Sequence, residues 1–190
     1  MRQVSNLWTK LSFAQLSTAS LMVAALAFIA LIGAPLIALG VPRRNIAGNE
    51  VGAASVVFAV ALWLWHMPAP YELTFTSTAI YWTMHLTMLA AALWLWAALL
   101  GTLGNLWTAL AASFFTTMQM SLLGVLLTFS PRPLFYIHLL STLPWGLSPL
   151  EDQQFGGLIM WVPTGVLLVA YAVAAFGYEL AALDRQRAAT

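Results

Sequence analysis

Long apolar runs alternate with short polar or proline-containing breaks along this chain. A helix needs about 20 apolar residues to cross a hydrocarbon core of about 30 Å. Runs at Thr18–Gly40, Val51–Trp65, Ile80–Gly101, Asn105–Phe129 and Gly157–Leu183 predict five spans. The second run covers only about 23 Å at the helical rise, which puts His66, the next residue, at the hydrocarbon edge. The third and fourth are separated by a very short link, the signature of an antiparallel helical hairpin. Between the fourth and fifth lies the segment 130–156, interrupted by Pro131, Pro133, Pro144 and Pro149 and carrying the amphipathic patch LFYIHLL. It is expected to lie along the membrane surface rather than to cross it. Within it, Ser148 and Glu151 have capping-box spacing and Pro149 falls at N1, so the last helix is predicted to start there, about two turns before the membrane. Pro163 should kink that helix by freeing the carbonyl of Ile159. Arg2 and Lys10 ahead of the first run resemble a signal peptide, but the run exceeds the roughly 7–15 apolar residues such a peptide carries. It is read as a retained span.

Composition agrees with the pattern. Of the residues, 62% are hydrophobic and 7% charged, where a soluble domain would carry roughly a quarter charged. So few charges cannot cover a water-exposed globule. The chain is therefore read as one all-α integral membrane domain over residues 1–190, held in the lipid bilayer. A net charge of +1 gives no footing for nucleic acid. The absence of cysteine excludes disulfides, thiolate metal sites and cysteine nucleophiles together. Trp63, Trp65 and Trp82 at one end of the spans, with Trp94, Trp96 and Trp107 at the other, read as two interfacial aromatic belts. With five spans, Arg43, Arg44, Arg185 and Arg187 share one face, while Arg2, Lys10 and Arg132 share the other. The positive-inside rule then predicts an outside N-terminus and a cytoplasmic C-terminus in a bacterial cell membrane.

This topology brings the three histidines to one face. His66 ends the second span, His85 lies in the first turns of the third, and His138 lies in the loop after the fourth. Met67 adjoins His66, and Met84 and Met88 bracket His85, with Met88 on the same helix face as His85. Met160 lies near the same end of the fifth span, and Met118 and Met120 flank Gln119 lower in the fourth. Imidazole and thioether without thiolate form a ligand set suited to copper, particularly Cu(I). Against this, methionine is a common filler of apolar cores. His66 has an ordinary role open to it, bonding a carbonyl freed by Pro68. His85 is harder to set aside, because an ionisable group inside a span is a functional candidate by default. Asp152, Gly156 and Met160 share a face at spacing four. A carboxylate there either attracts a cation or bonds a neighbouring helix end, and the sequence leaves both open. His66, His85 and Met88 are the expected ligands, with Asp152 as an attractor and His138 and Met160 as further candidates.

Other classes stay in view. No serine–histidine–acid set, paired catalytic carboxylates or phosphate-binding glycine loop is visible, so the chain is not expected to be an enzyme. A b-type haem protein with His66 and His85 as axial ligands is one alternative. A metal-free accessory subunit of a larger membrane complex is another.

The strings LWHMPAPY, MHLTM, MQMSLLGVLLTFSPRPLFYIH and EDQQFGGLIMWVP occur in this order over residues 60–175. In this the chain resembles the CtaG family of cytochrome c oxidase assembly factors, the multi-helix family associated with caa-type oxidases. The resemblance implies a role in maturing the oxidase through its subunits, with copper delivery to a metal centre. By motif it points to His66, His85, Asp152, Met160 and His138. Larger members of that family have six or seven spans, against the five counted here.

Overall fold

The computed structural model describes residues 34–40, 48–102, 105–139, 142 and 146–189. All regular structure among them is helical: α1 (Ala34–Leu39), α2 (Gly48–Trp65), α3 (Pro68–Leu73), α4 (Thr78–Gly101), α5 (Leu106–Phe129), a single 3-10 turn (Tyr136–Leu139) and α6 (Pro149–Ala188). Helices α2, α4, α5 and α6 are long and apolar enough to cross a membrane. Of the predicted first span, α1 is the end; the remainder, 18–33, lies outside the described residues, as do Arg2, Lys10, Arg43 and Arg44.

Several boundaries differ from expectation. Helix α2 starts one turn early, at Gly48, and its 18 residues reach about 27 Å. It nearly spans the hydrocarbon core, so the shortness argument for His66 falls away. His66 instead closes the last turn of α2, its N–H facing the carbonyls of Leu62 and Trp63 at 3.3 and 3.2 Å. Pro68 then opens α3 at its first position, with Met67 as the extended residue before it. The last part of the segment 130–156 is helical, since α6 begins at Pro149 as the capping-box spacing predicts. Both bonds of the capping box form: Ser148 Oγ accepts from the Glu151 N–H, and Glu151 Oε2 accepts from the Ser148 N–H. At 40 residues, α6 is about 60 Å long, twice the hydrocarbon thickness. It carries Pro163 without a break, and in the next position the Thr164 hydroxyl donates to the Met160 carbonyl at 3.0 Å.

Lipid offers helices no hydrophobic reason to associate, so close packing of small residues must supply one. The most extensive pairing is α5 with α6, and two glycines permit it. A Cβ on Gly124 would lie 2.2–2.6 Å from the Trp161 side chain, and one on Gly157 would lie 2.7 Å from Thr128 Oγ1 and 3.0 Å from Leu127 Cβ. Gly156 takes no part, since a Cβ there would meet nothing within 4 Å. Helix α2 packs on α4 and α5, and α1 packs on α4. At the far end from the histidines, the Tyr171 hydroxyl of α6 donates to the Leu99 carbonyl and lies 2.9 Å from Thr102 Oγ1, tying α6 to the end of α4.

The aromatic belts are only partly belts. Trp82, Trp94 and Trp107 face outward, but Trp96 is buried, edge-on to Tyr171 with ring centroids 6.3 Å apart. The Trp63 indole N–H donates to Gln119 Oε1 on α5, and that of Trp65 to Thr87 Oγ1 on α4, both at 2.9 Å. These two side chains brace the end of α2 against its neighbours.

Gly124→Ala should cost about 1–3 kcal/mol, the usual range for overpacking, seen as a lower thermal-unfolding midpoint in detergent. Gly156→Ala should leave the midpoint unchanged or raise it, alanine being the better helix former. Equal losses at the two positions would show that the α5–α6 seam is not where close approach is required.

Candidate functional site

The end of the bundle that carries all three histidines holds two arrangements of different character. In the first, His66 Nδ1 lies 2.7 Å from the Leu62 carbonyl oxygen and His85 Nδ1 lies 2.8 Å from that of Tyr81. A carbonyl oxygen can only accept, so each Nδ1 carries the proton and donates. In the neutral ring the lone pair is then on Nε2. Both imidazoles are half-buried, each is anchored one helical turn back along its own helix, and each leaves the same nitrogen with its lone pair. The Trp65–Thr87 bond sets the end of α2 beside the α4 turn that carries His85. The Tyr81 and Trp82 rings pack around His85, with centroids at 4.3 and 6.3 Å.

The methionines separate by exposure. Met67 is 53% exposed and Met118 48%, so neither faces the bundle interior. Met120 belongs to the core at 2%. Met84, Met88 and Met160 are half-buried, and of these Met88 and Met160 pack against the core. No three His, Cys, Asp or Glu side chains come together in a metal-binding group among the described residues.

The second arrangement surrounds His138. Its Nε2 lies 2.9 Å from the Tyr71 hydroxyl of α3. The Tyr71 ring packs on Phe135 and Phe75 at 4.6 and 5.4 Å, and Phe75 stands edge-on to His138 at 5.7 Å. Gln153, buried in the first turns of α6, holds this loop in place. Its Oε1 accepts from the Leu134 N–H at 2.6 Å, and its Nε2 donates to the Leu127 carbonyl at 3.0 Å. The adjacent Asp152 acts on the same cluster. Burial lowers the pKa of His138 while the Asp152 charge partly raises it. Burial chiefly, then the charges of Asp152 and Tyr81, push the Tyr71 phenol up to about 12. The Asp152 charge thus acts on both His138 and Tyr71.

His138 is only a further candidate by sequence, and the sequence pattern singles out neither Tyr71 nor Tyr81. The polar string Asp152-Gln153-Gln154 was the visible signal for Gln153, unusual at the mouth of an apolar helix. Nothing local marks Tyr71, whose partner lies 67 residues away.

A family model described as cytochrome c oxidase caa3 assembly factor (Caa3_CtaG) matches residues 51–180. The match covers about two thirds of the chain and includes His66, His85, Met88, His138, Asp152 and Met160. No curated protein and no solved structure matches the chain.

The raised Tyr71 pKa has a checkable consequence. A folded-state value of about 12, against an unfolded value of about 10, means the fold disfavours the phenolate. The associated stability is complete below about pH 10 and is lost as pH rises towards about 12. Alkaline absorbance titration of wild type minus Tyr71→Phe should show one tyrosine ionising near the upper value. A difference curve centred at an ordinary tyrosine pKa would contradict the burial described.

Proposed function

The chain belongs to the family of cytochrome c oxidase caa3 assembly factors, and from that premise we propose that it binds Cu(I) and hands it to an oxidase subunit. His66 and His85 are the paired imidazole ligands in this reading, Met88 is the thioether, and copper is the cargo. The observation that carries it is the matched anchoring of the two rings. Metal-binding histidines characteristically donate their second ring N–H to a backbone carbonyl or carboxylate, which fixes the tautomer and turns the free nitrogen towards the ion. His66 and His85 are both fixed in this way.

The donor chemistry supports a soft, monovalent ion. Imidazole and thioether suit Cu(I), whereas magnesium or calcium calls for oxygen ligands. All three donors are neutral, so the site adds no buried negative charge to an apolar bundle. Asp152 is a poor direct partner for Cu(I) and acts as an attractor at the mouth, where the N-terminus of α6 favours a carboxylate. Met160, one helical face below Asp152, and His138 are secondary donors along the approach. A carrier of this kind transfers its ion by ligand exchange and makes or breaks no other bond, so it is not an enzyme. With the arginines of the tail and first loop facing the cytoplasm, the histidine end opens outside a bacterial cell membrane.

Cu(I) titration of the detergent-purified chain against a chromogenic chelator tests the reading directly. His66→Ala and His85→Ala should each weaken binding by at least about tenfold, the loss that removal of even a supporting partner produces. Asp152→Asn should slow loading more than it weakens binding. A Soret band in the purified protein would replace the copper reading with a haem one. Unchanged oxidase copper content in cells carrying either histidine variant would leave only a metal-free accessory role. Single cysteines at Pro70 and Asn105 should label from opposite sides of the membrane, with Pro70 reached from outside.

A further inference from the structure

A cleft between α2 and α5 takes no part in the site described above. It lies at the end of the bundle opposite the histidines, where both helices begin, and has a volume of about 560 Å³. That is within the roughly 300–1,000 Å³ of ordinary ligand pockets. At its mouth a Cβ on Gly48 would lie 3.7 Å from Thr108, and the Trp107 side chain stands 80% exposed. Phe115 lines it about 12 Å further along α5. None of its ten lining residues is charged, so an occupant must be neutral.

Two features of the cleft have no use within the chain. Ser55 forms part of its wall, is 3% exposed, and has no hydrogen-bond partner among the described residues. Helical hydroxyls commonly donate to the carbonyl one turn back, as Ser113 does to Ala109 and Thr87 to Thr83. Of the buried hydroxyls left unpaired, those of Ser55, Thr116 and Thr128, only that of Ser55 belongs to this cleft. The second feature is Gly52. Glycine inside a helix is less stable than alanine, yet a Cβ at Gly52 would meet nothing within 4 Å. Unlike Gly124 and Gly157, it does not serve the approach of a neighbouring helix.

We propose that this cleft binds the head of an isoprenoid quinone, with the Ser55 hydroxyl donating to a ring carbonyl and the ring lying against the bare backbone at Gly52. Depth favours this occupant. Ser55 is seven residues into the 18-residue α2, about 10 Å from its end, and α2 barely spans the hydrocarbon core. A phospholipid keeps its ester carbonyls at the hydrocarbon boundary, whereas a quinone carries its carbonyls into the bilayer. A partner helix would make contact along the whole length of α2 and α5. Past the cleft, however, their outward residues are the bulky Val60, Leu64, Met118 and Leu122. The proposal does not rest on the copper reading.

Titration of the detergent-purified chain with a benzoquinone bearing a short prenyl tail, followed by tryptophan fluorescence, tests it. Wild type should bind saturably. Gly52→Leu fills the cleft from a position where the fold leaves room, and should abolish that binding. Ser55→Ala should weaken it by about two- to tenfold, the worth of one hydrogen bond. The same variant should leave the unfolding midpoint of the empty protein unchanged or raised, because it removes an unpaired buried hydroxyl. A carbonyl-free analogue of the probe should bind wild type and Ser55→Ala alike. Should Gly52→Leu not fold, Ser55→Ala with the two probes decides the matter. No saturable binding by wild type, wild-type affinity in either variant, or a lowered midpoint in Ser55→Ala would overturn the proposal. So would a phospholipid that native mass spectrometry finds on wild type and not on Gly52→Leu, since the occupant would then be a lipid. Cu(I) affinity, measured separately, should be the same in all three proteins.

Discussion

The close seam between α5 and α6 is the constraint on which the described site depends. Gly124 lets Trp161 lie flat against the backbone of α5, and Gly157 lets α6 approach Leu127 and Thr128. That approach brings the first turns of α6 within reach of the end of α5, so that Gln153 bonds both the Leu127 carbonyl and the Leu134 N–H. The chain after α5 is thereby folded back over the bundle end, which carries His138 onto Tyr71 and sets Asp152 next to both. A wider seam would break the Gln153 bridge first and scatter the His138 cluster as a result. The seam has a cost: among the described residues the buried Trp161 indole N–H and Thr128 hydroxyl find no hydrogen-bond partner. Such a cost is tolerable where van der Waals contact between helices does most of the holding.

A second constraint acts at helix ends. Inside lipid every backbone carbonyl needs a donor, and proline removes one. Pro68 cannot donate to Leu64, and the Met67 N–H takes that carbonyl instead, at 3.3 Å. One residue earlier, the Leu62 carbonyl is shared between the His66 N–H and His66 Nδ1. The end of α2 is therefore finished by its own histidine, and finishing it fixes the ring. His85 is fixed in the same way from within α4, where Tyr81 supplies both the carbonyl and a ring tilted against the imidazole. Tautomer selection at both sites is a by-product of satisfying the backbone.

What was legible in the sequence followed from local chemistry. Apolar runs located four of the described spans, and the Ser148–Glu151 pair located the start of α6 through bonds that close within one turn. Asn105 likewise caps α5 by accepting from the Thr108 N–H. The start of α2 was misplaced because Gly48, Asn49 and Glu50 read as loop by composition, though Glu50 suits a helix N-terminus. Tertiary partners were not legible. Trp63 and Trp65 read as lipid anchors because an indole at a span end is ordinary, and only the positions of Gln119 and Thr87 show them tied to neighbouring helices. Tyr71 sits in a proline-flanked turn with no periodicity at all. Its role comes from a residue on the far side of two helices.

The distribution of charge follows from the same economy. A cation carried by neutral imidazole and thioether donors brings its single charge into the bundle end, and a fixed carboxylate among the ligands would have to be desolvated whenever the ion was absent. Placing Asp152 in the first turn of α6 avoids this. There a carboxylate complements the unpaired N–H groups of the helix end, and Glu151 is committed to the capping box instead. On the copper reading, the attracting acid lies on α6 ahead of Gly157 while the donors lie on α2 and α4. On that reading the ion would be attracted by one helix and held by two others, and holding and release would be governed by different groups.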